Sequence, residues 1–207
     1  MARILLVRHG DTDWNQAGRI QGQVDTSLSA KGLAQVRALA VRLAQIPIGA
    51  AYASDLRRAA ETGQAILNGR AVTLGLVPEL REFSYGAWEG LTYQDVERRY
   101  PAQYTDMQSR RLDFAPPAGE SMNQLTDRVG GFLTRMRSAW ADHPNDTVLL
   151  VAHGGSLRAA ITCLLGFPRK VAWSLWLATA SLSIIDVTRD NQVLRLLNDT
   201  SHLPGPY

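Results

Sequence analysis

Short apolar segments typical of buried strands alternate with segments of helical periodicity along most of this chain. Residues 3–8, 50–53 and 147–152 read as strands, while residues 29–46 and 56–67 repeat apolar side chains at helical spacing. Parallel strands need long crossover connections, which are usually helices. The alternation therefore predicts an α/β fold, a three-layer α/β/α sandwich around a mostly parallel central sheet.

The remaining segments predict further elements of the same sandwich. Ser29 is a suitable N-cap for one helix, and Ser54 or Asp55 for the next. Pro101 should end a helix over residues 93–99. Residues 181–187 and 193–197 predict a terminal hairpin that turns at residues 189–191, so that the last strand is an antiparallel edge strand. The other predicted elements are a strand over residues 72–76 and helices over residues 121–141 and 155–165.

One region interrupts the alternation. Residues 83–119 are rich in Gly, Pro, aromatic and charged residues. We interpret them as a helical insertion, or lid, that covers the active site. A chain of 207 residues fits one domain with a modest insertion, so we expect residues 1–207 to form a single domain.

Charge and cysteine content exclude several classes of function. The net charge is only +3 and no block of like charge occurs, which argues against nucleic acid or a membrane surface as a partner. No apolar run approaches about 18 residues, the length expected of a membrane span. The single cysteine, Cys163, cannot form an internal disulfide. We therefore expect a cytoplasmic protein.

Two predicted strands end in the same dipeptide, His-Gly. Arg8, His9 and Gly10 follow the first strand, and His153 and Gly154 follow the strand at residues 147–152. Open α/β sheets bind ligands at the carboxyl ends of their strands. The glycines allow close backbone approach, and the helix that opens near Gly154 offers free N–H groups to an anion.

These residue types suit phosphate chemistry. Arginine presents a planar fork to phosphate oxygens and keeps its charge at neutral pH. A neutral His9 beside Arg8 could attack phosphorus and form a phosphohistidine. The sequence thus predicts phosphoryl transfer through His9.

The run Leu6-Val7-Arg8-His9-Gly10-Asp11-Thr12-Asp13-Trp14-Asn15 resembles the signature of the histidine phosphatase superfamily, in its phosphoglycerate-mutase-like branch. The similarity extends along most of the chain. Residues 28–32 resemble the helix start of the family, residues 54–62 its second motif, residues 80–90 its acid-bearing loop and residues 151–155 its last motif.

The resemblance implies a phosphate pocket formed by Arg8, His9, Arg58 and His153. His9 would be the nucleophile, and Glu82 would protonate the leaving oxygen and then activate water. The family uses no metal, and we expect no cofactor. The motif favours Arg58 over its neighbour Arg57, and Glu82 over Glu89. Further candidates for contact with the phosphate or the substrate are Asn15, Gln21, Gly22, Tyr85 and Gly154.

The family contains both phosphatases and mutases. In the mutases a Lys follows the acid-bearing loop, whereas Thr92 and Tyr93 stand at the corresponding place here. Residues 116–121 resemble the phosphatases of this branch, among them α-ribazole and broad-specificity phosphatases. Arg110 and Arg111, in contrast, resemble a substrate-binding Arg pair of the mutases. We therefore expect a phosphomonoesterase, with a cofactor-dependent phosphoglycerate mutase as the alternative.

A third possibility belongs to another class: a family member that has lost catalysis and serves as a binding module. Retention of all five catalytic candidates argues against it. The expected partner is a small phosphate ester. The apolar residues around Trp173 and Trp176 could pack in the core or form the surface of a homodimer.

Overall fold

The computed structural model describes residues 2–141, 147–188 and 191–205. Each of the predicted strands is present, with bounds that differ by a few residues. The six strands are β1 (Ala2–Arg8), β2 (Ala50–Ala53), β3 (Leu74–Leu76), β4 (Thr147–Ala152), β5 (Leu182–Val187) and β6 (Gln192–Asp199). Residues 189 and 190 of the predicted hairpin turn lie outside the described part of the chain.

The helices surround this sheet and largely match the predicted segments. They are α1 (Asp13–Gln16), α2 (Ala30–Leu43), α3 (Arg57–Leu67), α4 (Tyr93–Arg99), α5 (Pro101–Gln108), α6 (Met122–Ala141) and α7 (Gly154–Leu164). Ser29 caps α2 as expected, since its hydroxyl accepts the N–H of Gly32 at 3.0 Å.

Two local expectations about helices were wrong. Neither Ser54 nor Asp55 is the N-cap of α3: Asp55 pairs with Arg81, and the N–H of Arg57 donates instead to Asp25, 2.7 Å away. Pro101 ends α4 but also begins α5, which the sequence did not predict. Proline fits the first turn of a helix because its missing N–H would be unpaired there anyway.

The strand order is β3-β2-β4-β1-β5-β6. β2 pairs in parallel with β3 and β4, and β4 in parallel with β1. β5 is antiparallel to β1, and β6 to β5. The mostly parallel α/β sandwich is therefore confirmed, and the predicted hairpin of β5 and β6 adds two antiparallel pairings at one edge of the sheet.

Apolar side chains fill both faces of this sheet. β4 lies at its centre and all six of its residues are buried, as expected of a strand covered on both sides. A third, smaller cluster lies within the predicted insertion, where Trp88 is fully buried and packs with Ile20 and Val96. The insertion thus has a small core of its own, connected to the loop that carries Ile20.

The surface near the predicted dimer residues is mixed. Trp173 is half-buried beneath the guanidinium of Arg158, whereas Trp176 is 63% exposed. The homodimer stays a prediction. Among the described helices, none combines the length and the apolar character needed to cross a membrane.

Candidate active site

The two His-Gly segments are brought together by the pairing of β1 with β4. Arg8 and Ala152 are register partners at the ends of these parallel strands, so His9 and His153 follow side by side. The N–H of His9 donates to the carbonyl of Ala152 at 3.0 Å, and the two imidazole rings lie 5.0 Å apart between centroids. The fold therefore places both histidines at one point on the carboxyl edge of the sheet.

A hydrogen bond fixes the tautomer of His9. Its Nδ1 lies 2.7 Å from the carbonyl oxygen of Gly10, which can only accept, so Nδ1 carries the proton. In the neutral ring the lone pair is then on Nε2. Burial, together with the nearby charges of Arg58 and Arg8, holds the pKa of His9 well below its ordinary value. His9 is consequently a neutral imidazole with an available nucleophilic nitrogen.

Arg58 reaches the same point from the neighbouring strand. β2 lies next to β4, and Arg58 is in the first turn of α3, shortly after β2. Its guanidinium is fully buried and donates to the carbonyls of Gly22 and Val24, each at 2.8 Å. Burial lowers the pKa of Arg58 to about 10, so the group stays charged at neutral pH. Arg57, the alternative, is exposed and pairs with Glu61.

Several buried nitrogen atoms of the site have no hydrogen-bond partner within the described residues: Nε of Arg8, Nε of Arg58 and both ring nitrogens of His153. Leaving a buried polar group unpaired costs about 1–3 kcal/mol, and more for a charged one. Burial and the charge of Arg58 also hold the pKa of His153 well below its ordinary value. An anion such as phosphate would supply acceptors for the two guanidinium groups and for the one N–H of a neutral His153 ring, and would so offset this cost.

The side chain of Glu82 contacts the N-terminus of α7. Its carboxylate accepts the N–H of Gly155 through Oε1 at 2.9 Å and Oε2 at 3.1 Å, and Oε1 also accepts the N–H of Phe83 at 2.7 Å. These backbone N–H groups, one of them at the start of α7, fix the position of the Glu82 carboxyl group. A Cβ on Gly155 would lie 2.3 Å from Oε1, so this approach requires glycine.

Glu89, the alternative acid, has a different environment. Its Oε1 accepts the N–H of Gln23 at 2.9 Å and that of Tyr85 at 3.1 Å. A Cβ on Gly22, whose φ is +53°, would lie 2.1 Å from the same oxygen. Glu89 thus ties the loop around Gly22 to the insertion, whereas Glu82 lies on the wall of the cavity.

A cavity of about 270 Å³ opens beside His9. Eight of the ten predicted site residues lie on its wall: Arg8, His9, Asn15, Gln21, Gly22, Arg58, Glu82 and Tyr85. The other two adjoin these residues, since His153 packs against His9 and a Cβ on Gly154 would lie within 4 Å of Arg8 and Glu82. Asn15 also caps α1 together with Thr12, and the side-chain oxygen of Gln21 accepts the hydroxyls of Thr12 and Thr26.

Four wall residues were not singled out from the sequence: Gly18, Arg19, Ile20 and Tyr93. A bridge between Arg19 and Thr92 joins their two loops, and Arg19 donates to the carbonyl of Gly90 at 2.6 Å. In the sequence, the one indication of this loop was Ile20, an isolated apolar residue between Gly18 and Gly22. Tyr85, beside Tyr93, is partly buried, and the loss of hydration around its hydroxyl raises its pKa well above the ordinary value.

Arg110 and Arg111 are exposed, and Arg111 pairs with Asp113 at 2.9 Å. They are not on the cavity wall as the described residues define it. In the same part of the chain, no group of three or more His, Cys, Asp or Glu side chains has the arrangement of a metal site.

The chain is similar to known proteins in both sequence and structure. The chain matches the model of the histidine phosphatase superfamily (branch 1) over residues 4–200. It is 32% identical to phosphoserine phosphatase 1 of Hydrogenobacter thermophilus, covering 100% of this chain and 97% of that protein. It is 34% identical to phosphoglycerate mutase-like protein 4 of Arabidopsis thaliana, covering 98% and 87%.

A solved structure agrees with these relatives. The α-ribazole phosphatase of Shigella flexneri superposes with a TM-score of 0.89 at 29% identity, covering 96% of each chain. Sequence similarity and fold similarity thus both extend over nearly the whole length of the chain. The chain belongs to branch 1 of the histidine phosphatase superfamily.

Proposed function

We propose that this protein is a phosphomonoesterase that hydrolyses small phosphorylated metabolites through a phosphohistidine on His9, with Glu82 as the proton donor. The observation that carries the proposal is the Nδ1 hydrogen bond of His9 to Gly10, which leaves Nε2 as a nucleophile among buried donors that lack partners. The cavity of about 270 Å³ fits a small ester.

In the first step, Nε2 of His9 attacks phosphorus and the P–O bond to the leaving group breaks. The proton of the Glu82 carboxyl passes to the departing oxygen. The side chains of Arg8, Arg58 and His153 donate to the phosphoryl oxygens, where negative charge is spread in the transition state. Asn15 adds an amide N–H donor.

In the second step, the ionised Glu82 takes a proton from water, which attacks the phosphohistidine. The P–N bond breaks, inorganic phosphate leaves and both side chains return to their starting states. We propose that residues 1–207 act as a single domain, in which residues 83–119 form one wall of the site through Tyr85 and Tyr93.

A direct assay tests this proposal. The protein should release phosphate from p-nitrophenyl phosphate and from a panel of phosphoserine, α-ribazole phosphate and 3-phosphoglycerate. Release should persist with EDTA and stop with vanadate. Interconversion of phosphoglycerates faster than phosphate release, with 2,3-bisphosphoglycerate present, would indicate the mutase instead. No turnover of any substrate would favour a binding module.

A further inference from the structure

Arg128 lies on α6, outside the cavity wall, yet it contacts the segment that carries Glu82. Its Nη1 donates to the carbonyls of Glu79 at 2.7 Å and Arg81 at 3.0 Å, and its Nη2 to the carbonyl of Glu82 at 3.3 Å. One guanidinium therefore binds three carbonyls within four consecutive residues. Arginine suits this task because its donors are fixed in a planar fork.

Glu120 completes the arrangement. Its carboxylate pairs with Arg128, with Nη2 to Oε1 at 2.5 Å, and both side chains are mostly buried. Oε1 also accepts the N–H of Ser84 at 2.9 Å, and the N–H of Glu120 donates to the carbonyl of Ser84 at 2.9 Å. The pair thus holds the backbone on both sides of Glu82.

The carboxyl group of Glu82 depends on this backbone. Gln23 donates to the same Glu82 carbonyl at 3.1 Å, and the Glu82 carboxylate accepts the N–H of Gly155 at 2.9 Å. A proton donor works only within about 3 Å of the oxygen that it protonates. A small rotation of the segment would move the carboxyl away from the leaving oxygen while His9 and its phosphate donors stay in place.

We propose that Arg128 and Glu120 are positioning residues for the general acid Glu82. This inference rests on the proposed function, since it assigns them to the protonation of the leaving group. Loss of Arg128 should impair substrates whose leaving group needs a proton and spare those whose leaving group does not. A merely structural role would lower the turnover of both kinds of substrate alike.

The experiment compares kcat/KM for p-nitrophenyl phosphate, a good leaving group, with kcat/KM for an alkyl phosphate. The ratio kcat/KM reports the step up to phosphoryl transfer. General acid catalysis contributes about 10²–10⁴-fold. Glu82→Gln measures this contribution directly. It should lower kcat/KM for the alkyl phosphate by about that factor and kcat/KM for p-nitrophenyl phosphate far less. Arg128→Met should lower the alkyl value by about 10–100-fold and the p-nitrophenyl value by less than about threefold.

Two further variants keep the test decisive if Arg128→Met folds poorly. Glu120→Gln removes the negative charge that pairs with Arg128. It should lower kcat/KM for the alkyl phosphate relative to kcat/KM for p-nitrophenyl phosphate, by a smaller factor than Arg128→Met. Arg128→Lys should restore part of the relative kcat/KM that Arg128→Met loses. The matched control is Arg135→Met, on the same helix, whose guanidinium pairs with the Glu79 carboxylate at the surface. It should leave the ratio unchanged.

An equal fall for both substrates in Arg128→Met and Glu120→Gln, or a ratio equal to that of Arg135→Met, would overturn the inference while the proposed function stands. A parent protein that releases phosphate from neither substrate would overturn the proposed function, and this inference with it.

Discussion

The reactivity of His9 depends on charges that lie within its own pocket. Burial and the guanidinium groups of Arg58 and Arg8 hold the pKa of His9 well below its ordinary value. A histidine attacks phosphorus only in its neutral form. Because its pKa is lowered, the ring should stay neutral as the pH falls through about 6.5, where an ordinary histidine takes up a proton.

The pH profile of kcat/KM tests this effect. Arg58→Gln removes one positive charge, so the pKa of His9 should rise and the acidic limb of the profile should move to higher pH. The control is Arg57→Gln, because Arg57 is adjacent in sequence but exposed. Its pH profile should have the same acidic limb as that of the parent protein. One substrate serves for all three proteins, so its own titration is common to them. Identical limbs in all three would contradict the electrostatic account.

At the scale of elements, the loop after β1 is packed against the first turn of α2. A Cβ on Gly32 would lie 2.0 Å from the carbonyl oxygen of Asp11, which already accepts the N–H of Ser29 at 2.9 Å. The contact is with backbone, so it cannot be relieved by a side-chain rotation. The loop that follows His9 and Gly10 is held in place by this approach.

Gly32→Ala should therefore lower the free energy of unfolding by about 1–3 kcal/mol, the usual cost of overpacking. The matched control is Gly131→Ala in α6, where the nearest atom to a new Cβ, apart from the adjoining helix backbone, is Nη1 of Arg135 at 3.7 Å. This change should stabilise the protein by up to about 1 kcal/mol, because alanine favours helix. Urea unfolding measures both. An unchanged midpoint of urea unfolding for Gly32→Ala would show that the contact between Gly32 and the carbonyl of Asp11 does not require glycine.

The sheet could be predicted from the sequence because the pattern of each strand is local. Of the two misses, one is long-range and the other is local. The N–H of Arg57 at the start of α3 is bound by Asp25, some thirty residues earlier, and no local pattern reveals it. Pro101 was read as a stop, although the same residue suits the start of α5.

The candidate site was predictable to a similar extent. His9 and His153 each follow a strand, and the carboxyl ends of parallel strands meet at one edge of a sheet. The resemblance to the family motifs predicted Arg58 and Glu82. The three carbonyl contacts of Arg128 depend on how α6 packs, so they required the structure.

At the scale of the whole molecule, the insertion and the sheet share a wall of the cavity. The N–H of Ile20 donates to the carbonyl of Leu91 at 2.9 Å, and that of Gly90 to the carbonyl of Ile20 at 2.8 Å. Trp88 packs fully buried beneath these contacts. We therefore expect the insertion to unfold together with the sheet as one cooperative unit.

Trp88→Ala should cost about 3–5 kcal/mol of the free energy of unfolding, the range for large aromatic side chains in cores. Circular dichroism and residual activity should follow the same urea transition. Trp176→Ala, at a side chain that is 63% exposed, should change stability by less than about 0.5 kcal/mol. Loss of activity in Trp88→Ala well before loss of the circular dichroism signal would mean that the insertion unfolds separately.

In the proposed reaction the phosphoryl group is carried by His9 before water receives it. Glu82→Gln is the variant in which to observe it, since p-nitrophenolate leaves without a proton while water lacks its base. Rapid mixing with p-nitrophenyl phosphate should give a burst of about one p-nitrophenolate per active site. An alkaline quench and mass spectrometry should then find the phosphoryl group on His9. Turnover without a phosphoryl adduct, or an adduct on any other residue, would show that His9 is not the nucleophile.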